Sequence, residues 1–400
     1  MKIDTSEEKI EELLTRSVAE VLPTKDGLRE ILKSGRRLRI YIGTDATGTS
    51  LHLGHATNYM ILEKFRRLGH EVIFLVGDFT ARIGDPTDKG DSARKQLTRE
   101  DVVENVKTWI DQVKPVIDVD NKDNPVRILY NHEWLSELNF EDVLNLASNF
   151  TVQQMLERDM FQERIKKEKP LYLHELFYPV MQGYDSVSMD VDIEMCGRDQ
   201  KFNALAGRTL MRKLKNKEKF VFITTLLENP KTGEKMMSKS LGTGIFLDFE
   251  AEKMYGAIMA QPDENMRQLF VDCTRLTTEE IEDILKNTNP RNAKMRLAKE
   301  VVAIYRGKEG AEKAEENFIN VFQNKDIPED ITTVSADSNA EIVDVLLENE
   351  IVKSKSEFRR LIDEGAISRE GEKVSDPFFK VGEGGVFKIG KKRFIKILSL

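Results

Sequence analysis

Cysteine is almost absent from this 400-residue chain: Cys196 and Cys273 are the only two. Two thiols cannot staple a disulfide framework or build a Cys-rich zinc site, and their scarcity fits a reducing cytosol. Long apolar runs are missing too, and none approaches the roughly 18 residues that a membrane span needs. The N-terminus, MKIDTSEEKIEELL, is acidic, lacks the apolar stretch of a secretory signal and is too rich in glutamate for a transit peptide. A cytoplasmic protein with no membrane partner is the expectation. There is no internal repeat and no low-complexity tract. Nor is there an excess of positive charge. A formal net charge of −8 excludes a general nucleic-acid coat protein, while leaving room for an RNA partner held by a local basic patch. What is present, 40% hydrophobic and 32% charged residues, is the composition of a globular chain of two or three domains.

The apolar spacing of Ile10, Leu13, Leu14, Val18 and Val21 predicts a first helix over residues 6–21. A short strand, Leu38 to Ile42, runs into the small, polar loop GTDATGTS, and a helix follows from near His52 to about Gly69. Val72 to Val76, Val126 to Tyr130 and Phe220 to Thr224 are continuous apolar runs of the kind buried in parallel sheets, with helical segments between them. This alternation predicts an α/β fold, a Rossmann-like doubly wound parallel sheet over residues 1–245 that binds its ligand at the carboxyl ends of the strands. Residues 246–327 read as an α-helical domain with Asn289-Pro290 as a breaker, and the polar stretch 328–340 as a linker. Residues 341–400 form a small α+β unit. Ile342, Val345 and Leu346 mark one helix, and Ser354-x-x-Glu357 caps a second with Phe358, Leu361 and Ile362 inward and Gly365 as its stop. The tail VFKIGKKRFIKIL alternates as a hairpin would around Gly390.

Two constellations carry chemistry. In Tyr41-Ile-Gly-Thr-Asp45-Ala-Thr47-Gly-Thr-Ser-Leu-His52-Leu-Gly54-His55, a strand delivers a Gly- and Thr-rich loop that opens a helix. Free N–H groups and the dipole at a helix start favour a phosphate. His52 and His55, three apart, face one side, and Gly54 leaves room for a flat group. Alone, H-x-x-H also fits two surface histidines at a cap, or zinc, but no third ligand is near in sequence. Far downstream, Lys235-Met236-Met237-Ser238-Lys239-Ser240 places a lysine between serines in a Gly-bounded loop. That arrangement suits a mobile clamp on a departing pyrophosphate.

Together the two segments resemble the HIGH and KMSKS signatures of class I aminoacyl-tRNA synthetases, and three further segments narrow the resemblance to the bacterial tyrosyl-tRNA synthetases. These are Y-x-G-x-D-x-T from Tyr41, Ile83-Gly-Asp85-Pro-Thr87, and Tyr178-Pro-Val-Met-Gln182-Gly-Tyr-Asp185 followed by Gly197-Arg198-Asp199-Gln200-Lys-Phe-Asn203. The resemblance covers nearly the whole chain, and its last unit is similar to an S4-type RNA-binding domain. It implies that Tyr41 and Asp185 hold a phenolic hydroxyl. It implies that Asp85, Tyr178 and Gln182 take the α-ammonium group and that Gln200 lies near the amino-acid carboxyl. Asp199 would take the ribose hydroxyls, with Asp45 and Ser238 also on the ATP side. Thr47, His52 and Lys239 would contact phosphates, His55 and Gly54 would seat the nucleotide, and Lys89 and Arg94 are candidates for a second clamp. The residue types suit these roles: a phenol pairs with a carboxylate and a hydroxyl, and an ammonium with three acceptors. Tyr178, Gln182 and Asp185 fall at i, i+4 and i+7, one helix face. Three departures stand out: Met236 replaces the first lysine of KMSKS, Arg198 stands beside Asp199, and Glu194, read as a sheet-edge or supporting residue, replaces a neutral one.

The implied reaction is tyrosine–tRNA ligation. L-tyrosine attacks the α-phosphorus of ATP, pyrophosphate leaves, and tyrosyl-AMP then acylates the 3′ end of tRNA(Tyr). ATP is a substrate, Mg²⁺ travels with it, and no protein metal site or tightly bound cofactor is expected. The resemblance also implies a homodimer and tRNA contacts from the tail, where Lys353, Lys355, Arg359 and Arg360 crowd the start of the capped helix. The alternatives are a tryptophanyl-tRNA synthetase, which Tyr41 and the tail disfavour, an inactive RNA-binding paralogue, which His52, His55 and Lys239 disfavour, and a small adenylyltransferase, a class of far shorter chains.

Overall fold

Six strands, β1 (Val18–Leu22), β2 (Arg39–Asp45), β3 (Glu71–Gly77), β4 (Arg127–Tyr130), β5 (Ile193–Gly197) and β6 (Phe220–Thr224), make one sheet in the order β1-β6-β5-β2-β3-β4. The computed structural model describes residues 2–85, 97–229, 233, 236–237, 244–323, 332–369, 372–382, 384–390 and 393–399. All neighbouring strands are parallel except β1, which runs antiparallel to β6. The chain order reverses at β2, flanked by β3 on one side and β5 on the other, so the cleft opens at the carboxyl ends of β2 and β5. Interior strands are buried on both faces, as β3 and β6 show along nearly their whole length.

Two expectations are corrected here. The helix predicted over 6–21 is α1 (Glu7–Thr15) only; Ser17 takes a φ of 61° and the chain turns into β1. Val18 and Val21 satisfy a helical spacing and a strand equally well, and pairing with β6 decides between them. The sequence reading also lacked β5. Ile-Glu-Met-Cys-Gly has no β-branched run, and a glutamate at its centre argues against burial. Yet β5 lies between β6 and β2, so Glu194 is at the middle of the sheet and not at its edge.

His70, directly before β3, is completely buried, its Nδ1 accepting the Leu38 backbone N–H at 3.3 Å. Burial, helped by Arg37, pushes its pKa down to about 4. The folded protein therefore keeps His70 neutral at pH values where the unfolded chain, near 6.5, binds a proton. Stability should fall as pH drops from about 6.5 to about 4, by up to about 3 kcal/mol, and this part should flatten below that. Denaturant unfolding of the wild type and His70→Gln across this range checks it: the difference between the two should carry the slope.

The chain divides into two compact units, Met1–Ala314 and Glu315–Leu400. Residues 246–314 fall in the first with the sheet; there Arg306 donates to the carbonyls of Leu247 and Phe249 at 2.8 and 2.6 Å. In the second unit, strands β7 (Thr332–Ala336), β8 (Ile367–Arg369), β9 (Glu372–Lys373), β10 (Gly384–Ile389) and β11 (Arg393–Ser399) form a sheet in the order β7-β11-β10-β8-β9. Its core unites Ile342, Val345 and Leu346 with Phe358, Leu361 and Ile362, as their helical spacing predicts. Ser354 Oγ accepts the Glu357 N–H at 3.1 Å, while the Glu357 carboxylate accepts from Lys353 N–H at 2.8 Å, one residue earlier than a reciprocal box requires. The tail is a hairpin with Ile389 opposite Arg393. The stretch read as a linker contains β7, parallel to β11. Its exposed threonines look polar in sequence but are β-branched and suit a sheet edge.

Candidate active site

The loop leaving β2 is held from behind. Asn105 donates to the Ala46 carbonyl at 2.8 Å, Trp109 Nε1 to Gly48 at 3.0 Å and Gln112 to Thr49 at 2.9 Å, while Gln112 Oε1 accepts from Leu51 N–H at 2.8 Å. Thr47 is left exposed on the outer side of this loop. His52 is the N-cap of helix α2 (Leu53–Arg67), and its backbone N–H donates to His55 Nδ1 at 3.2 Å, with ring centroids 3.8 Å apart. Gly54 keeps this turn open: a Cβ there would lie 3.1 Å from the His52 ring, which would have to give by a few tenths of an ångström.

The chain that follows the second motif returns to this point. Leu53 N–H donates to Ile245 O at 3.0 Å, and Leu247 N–H to Leu51 O at 2.8 Å, so the two histidines sit against the base of the downstream loop. Met236 and Met237 are buried there, Met237 close to Gly54. Where the resemblance would put a lysine, Met236 is thus a buried apolar side chain, its backbone N–H donating to Leu227 O at 2.9 Å. Lys235, Ser238, Lys239 and Ser240 lie outside the described residues, as do Lys89 and Arg94.

Helix α3 (Leu173–Ser188) brings Tyr178, Gln182 and Asp185 to one face, as the spacing predicts. Tyr178 Oη donates to Asp45 Oδ2 at 2.8 Å, and Thr80 Oγ1 to Asp45 Oδ1 at 2.6 Å. Asp45, assigned from sequence to the nucleotide, is placed on the Tyr178 side, and Gly77 allows it: any Cβ there would lie 2.1 Å from its carboxylate. Asp185 is 2% exposed and accepts from Trp134 Nε1 at 2.8 Å and Asn131 Nδ2 at 3.3 Å. Burial pushes its carboxyl well above the usual carboxylate range, against the pull of those two donors. Tyr41 Oη lies 3.0 Å from Ser186 Oγ, and burial with the nearby Glu194 and Asp185 charges holds its phenol protonated. Gln182 Nε2 donates to Glu194 Oε1 at 2.9 Å.

On the other wall, Gln200 donates to Asp85, and Arg158 approaches the same carboxylate at 4.0 Å between the rings of Phe161 and Phe202. Asp199 sits on the turn after β5, against Gly197, and Arg198 beside it is exposed. Sequence reasoning missed Trp134, Asn131, Ser186, Lys219, Thr80 and Arg158. Only Lys219, a charge at the mouth of an apolar strand, carried a visible signal. Among the described residues no cluster of His, Cys, Asp and Glu is placed to hold a metal ion, and no helix is long and apolar enough to cross a membrane. In the second unit Lys353, Lys355, Arg359 and Arg360 lie at the start of the capped helix and along it, with Lys355 paired to Asp344 at 2.7 Å and Arg360 to Glu364 at 3.8 Å.

An open, mostly parallel sheet, an H-x-G-H helix start beyond its central strand and a downstream segment, Ile245 to Leu247, hydrogen-bonded onto that start are the frame of a class I aminoacyl-tRNA synthetase. Residues 33–323 match the model for tRNA synthetases class I (W and Y), and residues 320–396 that for the tyrosine--tRNA ligase SYY-like C-terminal domain. The tyrosine--tRNA ligase of Carboxydothermus hydrogenoformans is 40% identical over 417 residues, covering 100% of this chain and 99% of that protein. That of Thermotoga maritima is 38% identical over 400 residues, covering 98% of each. The fold is shared with a tyrosyl-tRNA synthetase of Archaeoglobus fulgidus complexed with L-tyrosine (TM-score 0.60, 21% identity, 77% of this chain and 99% of that one). The chain belongs to the tyrosine--tRNA ligases of class I. The tryptophan-specific and inactive alternatives find no support in these likenesses.

Proposed function

We propose that this enzyme condenses L-tyrosine with ATP to tyrosyl-AMP and passes the tyrosyl group to tRNA(Tyr), with the residue roles implied by the resemblance. The observation that carries the reading is a buried carboxylate, Asp185, held by Trp134 and Asn131 close to the buried Tyr41 phenol. A substrate phenol donates to the first and accepts from the second. Asp85, Tyr178 and Gln182 take the ammonium, Gln200 lies beside the carboxyl, and Asp199 receives the ribose. Thr47, His52, Gly54 and His55 take the nucleotide, with Ser238 and Lys239 assigned to the ATP side and Lys239 to its phosphates. No side chain needs to act as nucleophile. Bringing carboxylate and α-phosphorus into line, and neutralising the charge that grows on pyrophosphate, supplies the rate. Magnesium arrives as part of the nucleotide substrate.

ATP–pyrophosphate exchange measured with each of the twenty amino acids tests this reading. Tyrosine alone should support it; exchange with tryptophan, or with none, would overturn the assignment.

Two further features are part of the proposal. The enzyme acts in the cytoplasm as a homodimer. Exposed apolar side chains recur along residues 140–173, among them Phe140 (78% exposed), Leu144, Val152 and Leu173 (71%), and are the candidates for the covered surface. Sedimentation at micromolar concentration should show a dimer that Phe140→Asp with Leu173→Asp converts to monomer, and a monomeric wild type would contradict it. The second unit, read as S4-like, offers its basic helix start to tRNA phosphates.

A further inference from the structure

Glu194 and Lys219 form an ion pair in the middle of the molecule. Glu194 is 1% exposed and Lys219 not at all. Enclosing two charges costs desolvation that their attraction rarely exceeds by much, so an apolar pair of equal volume would serve the fold as well. The pair touches the tyrosine pocket at two points. Glu194 lies directly beside Tyr41 in the β2–β5 register. Glu194 Oε1 accepts from Gln182 Nε2 at 2.9 Å, and Lys219 Nζ donates both to Glu194 Oε2 and, at 2.9 Å, to Ser186 Oγ. Ser186 Oγ in turn lies 3.0 Å from Tyr41 Oη and 3.3 Å from Glu194 Oε2. Helix α4 (Lys201–Lys215) crosses over this cluster at Gly207, where any Cβ would come within 2.5 Å of Lys219 Nζ and 2.9 Å of Ser186 Oγ.

An ammonium only donates and a carboxylate only accepts, so the pair imposes directions on its neutral neighbours. Glu194 claims the Gln182 amide nitrogen and thereby turns the carbonyl oxygen away, toward the position of a substrate ammonium. Lys219 occupies one lone pair of Ser186, whose single proton reaches either Tyr41 Oη at 3.0 Å or Glu194 Oε2 at 3.3 Å. Given to Tyr41, it leaves Glu194 Oε2 still bonded to the ammonium and no donor unpaired. With that bond accepted, Tyr41 keeps its own proton to donate to the oxygen of the substrate phenol, which in turn donates its hydrogen bond to Asp185.

We infer that Glu194, Lys219 and Ser186 are positioning residues that set the hydrogen-bond polarity of the pocket and so its preference for a phenolic amino acid. This rests on the tyrosine-pocket reading above.

Two variants test it in the full-length enzyme by pyrophosphate exchange. Ser186→Ala removes one hydroxyl and keeps the ion pair. E194Q/K219M replaces the pair by neutral side chains of similar size, so that neither charge is stranded. Ser186→Ala should lower the tyrosine/phenylalanine ratio of kcat/KM about tenfold, through the tyrosine arm. E194Q/K219M should raise KM for tyrosine about tenfold. KM for ATP should move less than about twofold in both, which a general loosening of the fold would not give. Ser186→Ala decides the question even if E194Q/K219M does not accumulate. Variants that melt earlier but keep the ratio and the tyrosine KM would show that the cluster serves packing alone. Failure of the wild type to exchange with tyrosine would instead overturn the pocket reading.

Discussion

Replacing Asp185 with asparagine should cut the enzyme's preference for tyrosine over phenylalanine about 10²-fold. The carboxylate is buried, and its two oxygens already accept from Trp134 and Asn131, so a substrate phenol finds a fixed, oriented acceptor. A site built to bond a hydroxyl rejects the analogue that lacks it, because its own polar groups are then left unpaired. Tyrosyl-tRNA synthetases are themselves the established example, rejecting phenylalanine by about 10⁵, a figure that belongs to those enzymes and not to this chain. Asparagine halves the acceptor capacity and sets an N–H₂ against a donor. The loss expected for tyrosine is about 3 kcal/mol, or about 10²-fold in kcat/KM, with phenylalanine nearly unaffected. Tyr41→Phe should act in the same direction and less strongly. The wild-type preference should also decline on acidification at pH values where an ordinary carboxylate is still ionised, since burial raises the Asp185 pKa and only its ionised form is a pure acceptor. Paired kcat/KM measurements for the two amino acids across pH check both points. A ratio that does not move in the variant would show that the pocket lies elsewhere.

What the sequence made legible follows its periodicities and spacings. Tyr178, Gln182 and Asp185 share a helix face because i, i+4 and i+7 allow nothing else, and the strand–loop–helix of Tyr41 to His55 carries its own order. The floor of the site was not legible in the same way. Trp134 and Asn131 reach Asp185 from the end of β4, across 51 and 54 residues of chain, and no local pattern marks them. Glu194 reads as an oddity until Lys219, 25 residues on, is folded against it. A strand with a buried glutamate has no hydrophobic signature of its own, so β5 and its place beside Tyr41 stayed hidden together. β1 and β7 were missed for a related reason: pairing with β6 and with β11, and not composition, makes them strands. The apolar cores of both units were visible as spacing. The charged pairs that shape the pocket depend on tertiary contact and were not.

Truncation after Gln323 should abolish tRNA charging while tyrosine-dependent pyrophosphate exchange survives. Every described residue assigned to adenylate formation lies in the first unit, Met1–Ala314, which has its own sheet and core. The cut falls before β7, because that strand is part of the second unit's sheet and removing only 337–400 would leave it without β11. Residues 341–400 hold twelve basic and eleven acidic side chains, so bulk charge cannot attract RNA; clustering must. Lys353, Lys355, Arg359 and Arg360 provide the cluster. The Lys355–Asp344 pair is more than half exposed at both ends, so it is worth little and gives way readily to a phosphate. In the full-length protein each of these residues that contacts a phosphate should add about one unit to the slope of log affinity against log salt, and its alanine variant should remove it. Filter binding of tRNA(Tyr) over a salt series, alongside charging and exchange assays of the truncated protein, makes the comparison. Normal charging by the truncated form, or four alanine variants with an unaltered slope, would remove tRNA binding from this unit and leave its basic helix as a solvated surface.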